Sequence, residues 1–179
     1  MKKVKTTMLI LIGLFFTLTR GYASERFYVE SDPFAFAFGG YSLHMGKSMG
    51  LVRAQVGVFS AYYPDLMKAN KNFAVKMQGF GAKLDYTGGK SAGWFAGVST
   101  SSTTLKYSLS GTSDSKSHDQ LLLGIRAGYR FEFGQRYYAV PWFGMSRDLL
   151  NAPTITLSNQ RYNESAWVPF ATIHLGVKF

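Results

Sequence analysis

The chain has no cysteine, which excludes a disulfide framework, a thiolate metal site and a lipid-carrying lipoprotein terminus. Proline is scarce, at 5 of 179 residues, and acidic residues are few, at 10 against 20 Lys and Arg. Past the N-terminal segment no apolar run approaches the roughly 20 residues that a membrane-spanning helix requires. Of the three histidines, His44, His118 and His174, His44 and His174 have no carboxylate or third histidine at ligand spacing, and no metal motif occurs elsewhere, so neither a metal nor a cofactor is expected. What remains is one domain's length of chain, 46% hydrophobic and 16% aromatic, with 19 glycines.

The N-terminal segment has its own signature. "MKKVKTTMLILIGLFFTLTRGYAS" opens on Lys2, Lys3 and Lys5, runs apolar from Met8 to Phe16, and carries small residues at Gly21 and Ala23. That is the pattern of a cleavable signal peptide over 1–23. Its removal takes Arg20 as well, leaving 16 Lys and Arg against 10 Asp and Glu, a net +6 over 24–179. An exported basic protein is expected to meet anionic surfaces such as lipopolysaccharide rather than nucleic acid.

Alternation of period two dominates the mature chain. In "TIHLGVKF", Ile173, Leu175, Val177 and Phe179 share one parity, and Thr172, His174, Gly176 and Lys178 the other. In "DQLLLGIRAGYRFEF", Leu121, Leu123, Ile125, Ala127, Tyr129, Phe131 and Phe133 oppose Gln120, Gly124, Arg126, Gly128, Arg130 and Glu132. "LVRAQVGVF" sets Val52, Ala54, Val56 and Val58 against Arg53, Gln55 and Gly57. Two segments change phase, at Gly39-Gly40 in "FAFAFGGYSLHM" and at Gly79–Gly81 in "FAVKMQGFGAKLDY", which predicts strands with bulges at those glycines.

Short connections (46–50, 87–91, 134–135) alternate with longer ones (63–72, 110–119, 147–166). This is the asymmetry of outer-membrane barrels, tight on the periplasmic side and longer outside. An even count needs an eighth strand from "ERFYVES", turning at Asp32-Pro33, unless a hairpin within 147–166 alters it. The expected fold is therefore all-β, an eight-stranded antiparallel up-and-down transmembrane barrel. Lipid demands such closure, because no backbone polar group is left unpaired there. A soluble lipocalin-like barrel would need the reverse polarity. Tyr62, Tyr63, Tyr86, Trp94, Tyr107, Tyr137, Tyr138 and Trp142 fall near predicted strand ends, where interfacial rings are expected.

The last strand, ending on Phe179, resembles the C-terminal recognition signal of outer-membrane proteins, with Ile173, Leu175, Val177 and Phe179 as the matching residues. "DPFAFAFGGYSLHMG", "GYRFEFG", "VPWFG" and "HLGVKF" are similar to uncharacterised small bacterial outer-membrane barrels of the OmpA/OmpX-type architecture. The resemblance implies a monomer integral to the outer membrane, surrounded by lipid and lipopolysaccharide and inserted by the barrel assembly machinery. It implies a structural or surface-interaction role and no agreed activity.

The inward parity predicts a lumenal polar network of His44, Arg53, Gln55, Lys76, Lys83, Asp85, Arg126, Arg130, Glu132 and His174, with Lys178 and the polar Ser42 and Thr172 alongside. Buried charges of this kind must pair or stay wet. If the barrel closes between its first and last strands, His44 and His174 approach one another. The competing enzymatic reading is a lipid A-modifying acyltransferase or deacylase at the outer rim. It would use His118 with Ser115, Ser117 and Asp119, all in the expected outer loop. A serine-rich loop supplies such neighbours by chance, so the non-enzymatic barrel is preferred.

Overall fold

A computed structural model describes residues 26–109, 111–150 and 152–179; the expected signal peptide lies outside them. Eight strands close into an antiparallel barrel: β1 (Arg26–Ser31), β2 (Tyr41–Met49), β3 (Val52–Tyr62), β4 (Phe73–Tyr86), β5 (Gly93–Leu109), β6 (Ser115–Phe133), β7 (Tyr137–Asp148) and β10 (Trp167–Lys178). Each pairs with its sequence neighbour, and β1 pairs with β10 to complete the ring. Two further strands, β8 (Thr154–Leu157) and β9 (Gln160–Asn163), form a separate hairpin within 147–166. The count of eight stands because that hairpin never joins the wall.

The outward face is apolar. Leu43, Met45, Val56, Val58, Leu123, Ile125, Phe131, Phe143 and Leu175 are all exposed, while Arg53, Gln55, Arg126, Arg130 and His174 on the opposite parity are buried. Short turns gather at one end. Gly50 opens the two-residue β2–β3 turn at φ +57°, a value that an L side chain resists and that primed hairpin turns need.

Two sequence expectations fail for stated reasons. Pro33–Ala37 is a short helix, α1, rather than the start of a strand. Asp32 caps it, its Oδ1 accepting the Phe34 N–H at 2.9 Å, and Pro33 occupies the first turn. The F-x-F-x-F alternation only mimics a strand. Nor does β4 bulge at Gly79–Gly81: its register with β3 and β5 is unbroken from end to end. Phe73 and Val75 share the inward parity of Lys83 and Asp85, so it is the lumen that changes along the axis.

At the loop end the lumen is apolar. Tyr63, Phe73, Val75, Leu105, Tyr107 and Leu109 pack beneath Ile155 and Tyr162 of the β8–β9 hairpin. Strands β5 and β6, of 17 and 19 residues, exceed the roughly 9–11 that a tilted spanning strand needs. Their surplus builds the walls of this apolar cap. Of the rings assigned to an interface, Tyr62, Tyr86, Trp94 and Tyr137 are exposed, whereas Tyr63, Tyr107 and Tyr138 are buried and Trp142 packs inside against Tyr28, Phe95, Tyr138 and Val140.

Candidate functional site in the barrel lumen

Below the apolar cap lies a layer of charge. Glu30 of β1 stands at its centre, buried between β2 and β10. Its Oε2 accepts from Gln55 Nε2 at 2.6 Å and sits 3.0 Å from His174 Nδ1. Across β1, the rings of His44 and His174 stack with centroids 4.9 Å apart and planes 26° off parallel. Ring closure through β1 brings them together, since Glu30 pairs with His44 on one side and Gly176 on the other. Gly57 makes the room: a Cβ there would fall 2.0 Å from His44 Nδ1.

The cations outnumber carboxylates, and aromatic faces supply the difference. Asp85 is opposite Arg53 in register and 3.4 Å from Arg126 Nε, an ion-pair distance without hydrogen-bond geometry. Arg126 lies 4.3 Å from the Trp142 centroid and 5.1 Å from that of Phe95. Arg130, one of the most buried side chains, covers the Tyr138 ring at 3.4 Å. Such contacts favour a desolvated guanidinium by about 2 kcal/mol or more. At the turn end Lys178 Nζ meets Glu132 Oε2 at 2.6 Å. Lys178 and the adjoining cations thus stop the lumen with a salt-bridged layer.

No protein-family model matches this chain, and no curated protein sequence is similar to it. Solved structures do match. A major outer membrane protein from Thermus thermophilus superimposes with a TM-score of 0.59 at 14% identity, over 88% of this chain and 100% of that one. Neisserial surface protein A does so with a TM-score of 0.56 at 14% identity, over 89% and 100%. The fold is that of small outer-membrane β-barrels.

Within this barrel type the sequence-derived residues take the following places. His44, Arg53, Gln55, Asp85, Arg126, Arg130 and His174 are buried on the inward face, with Lys83 beside them and Glu132 at the turn-end mouth. Lys76 is not lumenal. It has the parity of Phe80 and Leu84, and its ammonium lies 5.5 Å from the ring of exposed Tyr62; the expected bulge had inverted its assignment. Glu30, the hub, was not singled out by sequence, because six residues of β1 show too little alternation to declare a face.

The rim candidates separate. Ser115, Ser117, His118 and Asp119 belong to β6 rather than to a loop. His118 has the inward parity of Gln120, while Ser115, Ser117 and Asp119 share the outward one, where Asp119 accepts from Thr104 Oγ1 at 2.6 Å. A serine and the base that activates it must lie within hydrogen-bond reach, so opposite faces of one strand supply no triad. His118 instead sits near Glu164, which accepts from Tyr107 Oη at 2.7 Å. Burial raises the Glu164 carboxyl above its ordinary range, the Tyr107 hydrogen bond and His118 opposing this in part.

Between the apolar cap and the charged layer the barrel is hollow. A cavity of about 390 Å³ touches Lys83, Thr103, Gln120, Trp142 and His174 on its polar side. Phe34, Phe38, Phe59, Met77 and Phe170 form its apolar side.

Proposed function

We propose that this protein is a non-enzymatic integral outer-membrane barrel whose role is structural or is carried by its loop end, toward lipopolysaccharide or a surface partner. One observation supports it above the others: polarity is inverted relative to a soluble protein, with the aliphatic parity exposed around the wall and Arg53, Arg126 and Arg130 buried within. Lipid reverses the cost of exposing Leu and Ile, and ring closure pairs the first strand with the last. The turn end then faces the periplasm. Ile173, Leu175 and Val177 on the outward parity of β10, with Phe179 just beyond it, serve as the proposed signal to the assembly machinery.

Membrane fractionation combined with gel migration before and after boiling tests the placement. The protein is expected in the outer-membrane fraction, with a fast-migrating band that slows on heating; a soluble, heat-indifferent band would overturn the reading. The lipid A acyl pattern, read by mass spectrometry with and without the protein, is expected not to change. A changed pattern would reinstate the acyltransferase or deacylase reading.

A further inference from the structure

Eight strands enclose a lumen that side chains ordinarily fill. Here the inward positions around mid-barrel are Gly81 on β4, Ser99 and Ser101 on β5, and Gly144 and Ser146 on β7. Small residues at facing positions leave the space open. Its volume of about 390 Å³ falls within the ~300–1,000 Å³ of small-molecule sites.

The polar wall has capacity to spare. Thr103 Oγ1, Gln120 Nε2 and Trp142 Nε1 are buried without a hydrogen-bond partner, Thr103 and Gln120 being 3% and 1% exposed. Lys83 rests its ammonium 5.0 Å from the Trp142 centroid and forms no ion pair among the described residues. Every one of these groups donates. The unmet indole donor of Trp142 beside the Lys83 cation is matched by an anionic acceptor, while Phe59, Met77 and Phe170, which line the same cavity, are matched by hydrocarbon.

The route in is lateral. The cluster under the β8–β9 hairpin caps one end and the ion-paired layer stops the other. In the wall, β1 makes its last pairing with β10 at Ser31–Leu175 and with β2 at Glu30–His44. From there to the loop end no strand of the described residues separates Tyr41–Leu43 of β2 from Trp167–His174 of β10. Helix α1 occupies the gap, tied by Thr172 Oγ1 to Asp32 Oδ2 at 2.8 Å. Ala35 points in, and Phe34, Phe36 and Phe38 are 46%, 57% and 39% exposed.

We propose that the cavity binds one free fatty acid, admitted from the lipid between β2 and β10 past the phenylalanines of α1. Its carboxylate sits on Lys83 beside the Trp142 indole N–H, and its chain lies against Phe59, Met77 and Phe170. The entry route rests on the membrane placement proposed above; the cavity chemistry does not.

The test uses the full mature chain refolded into phosphatidylcholine vesicles and titrated with laurate isotopically labelled at its carboxyl carbon, read by a bound-state resonance. Laurate is expected to bind saturably. Dodecanol, the same chain without the charge, should bind roughly ten- to a hundredfold more weakly, the range for hydrogen bonds to a charged group. Lys83→Met should erase that preference, and Ser101→Leu, which fills the cavity, should abolish binding of both. Heat-modifiable migration confirms that each variant is folded, and Ser146→Leu on another wall replaces Ser101→Leu if the latter does not refold. Equal affinity for laurate and dodecanol, unchanged binding in the filled variants, or displacement of laurate by lysophosphatidylcholine at equal concentration would each overturn the proposal. A barrel that inserts yet binds no laurate defeats this inference alone, whereas a chain that fails to insert defeats the placement.

Discussion

Glu30 illustrates how one carboxylate organises several neighbours. It accepts from Gln55, faces His174, and through β1 holds the seam between the first and last strands of the ring. Removing its charge leaves those donors oriented toward a weaker acceptor in a buried site. Glu30→Gln is expected to lower barrel stability by about 1–3 kcal/mol, and Glu30→Ala by about 3–5 kcal/mol, the cost of leaving a buried partner uncompensated. The urea midpoint for conversion of the fast to the slow gel band measures both. His44→Phe, which keeps a stacking ring while removing an Nδ1 that is buried without a hydrogen-bond partner, should shift that midpoint far less. The parity of Arg53, Arg126 and His174 was legible because each lies in a long alternating run. Glu30 was not, since its strand is short and only ring closure reveals what it faces.

At the scale of elements, β6 could be read from sequence from Gln120 onward, while its first residues read as loop, and β4 could not. Alternation says which residues share a face but is silent on what that face meets. The lumen is ionic at Lys83 and Asp85 and apolar at Phe73 and Val75, so a strand of constant register imitates one with a bulge. Helix α1 was missed for the opposite reason: five residues are too few to display a period of 3.6, although Asp32-Pro33 carried the start signal.

The β8–β9 hairpin is the element most open to control. Tyr162 Oη accepts from the Ala69 N–H at 3.3 Å, Asn72 Nδ2 donates to Gln160 at 3.0 Å, and Ser158 bonds Asp114 across the loop end. Its exit residue, Glu164, has a raised folded-state pKa. The contribution of such a group to docking is fully present below the ordinary carboxylate pKa and is lost as pH rises through the raised value. Amide exchange of 154–163, corrected for intrinsic rates, is therefore expected to quicken with rising pH across that window. Glu164→Gln should flatten the dependence and leave the hairpin protected throughout.

For the whole molecule, the distribution of polarity decides the solvent. An aliphatic exterior, an apolar cap, a hollow middle and a salt-bridged base stack along one axis. If the terminal residues of β10 act as the proposed assembly signal, Phe179→Ala should reduce the folded outer-membrane population by severalfold in cells, read as loss of the heat-modifiable band. The purified variant should still refold in detergent, because Phe179 is 75% exposed and its backbone N–H, not its ring, bonds Phe27 O at 2.9 Å. Closure and strand number were legible from loop lengths and alternation. The hollow was not, since serines and glycines in a strand announce nothing until their neighbours across the ring are known.

The ladder between the first strand and the last runs only from Tyr28 to Ser31, with one backbone bond from Phe179 to Phe27 beyond it, whereas β5 and β6 are laddered from Gly93 to Ser108. A cylinder with so uneven a stitching has a built-in line of weakness. Under mechanical load its unravelling should start where the two ends of the chain are sewn together, and its other hairpins should peel away only afterward.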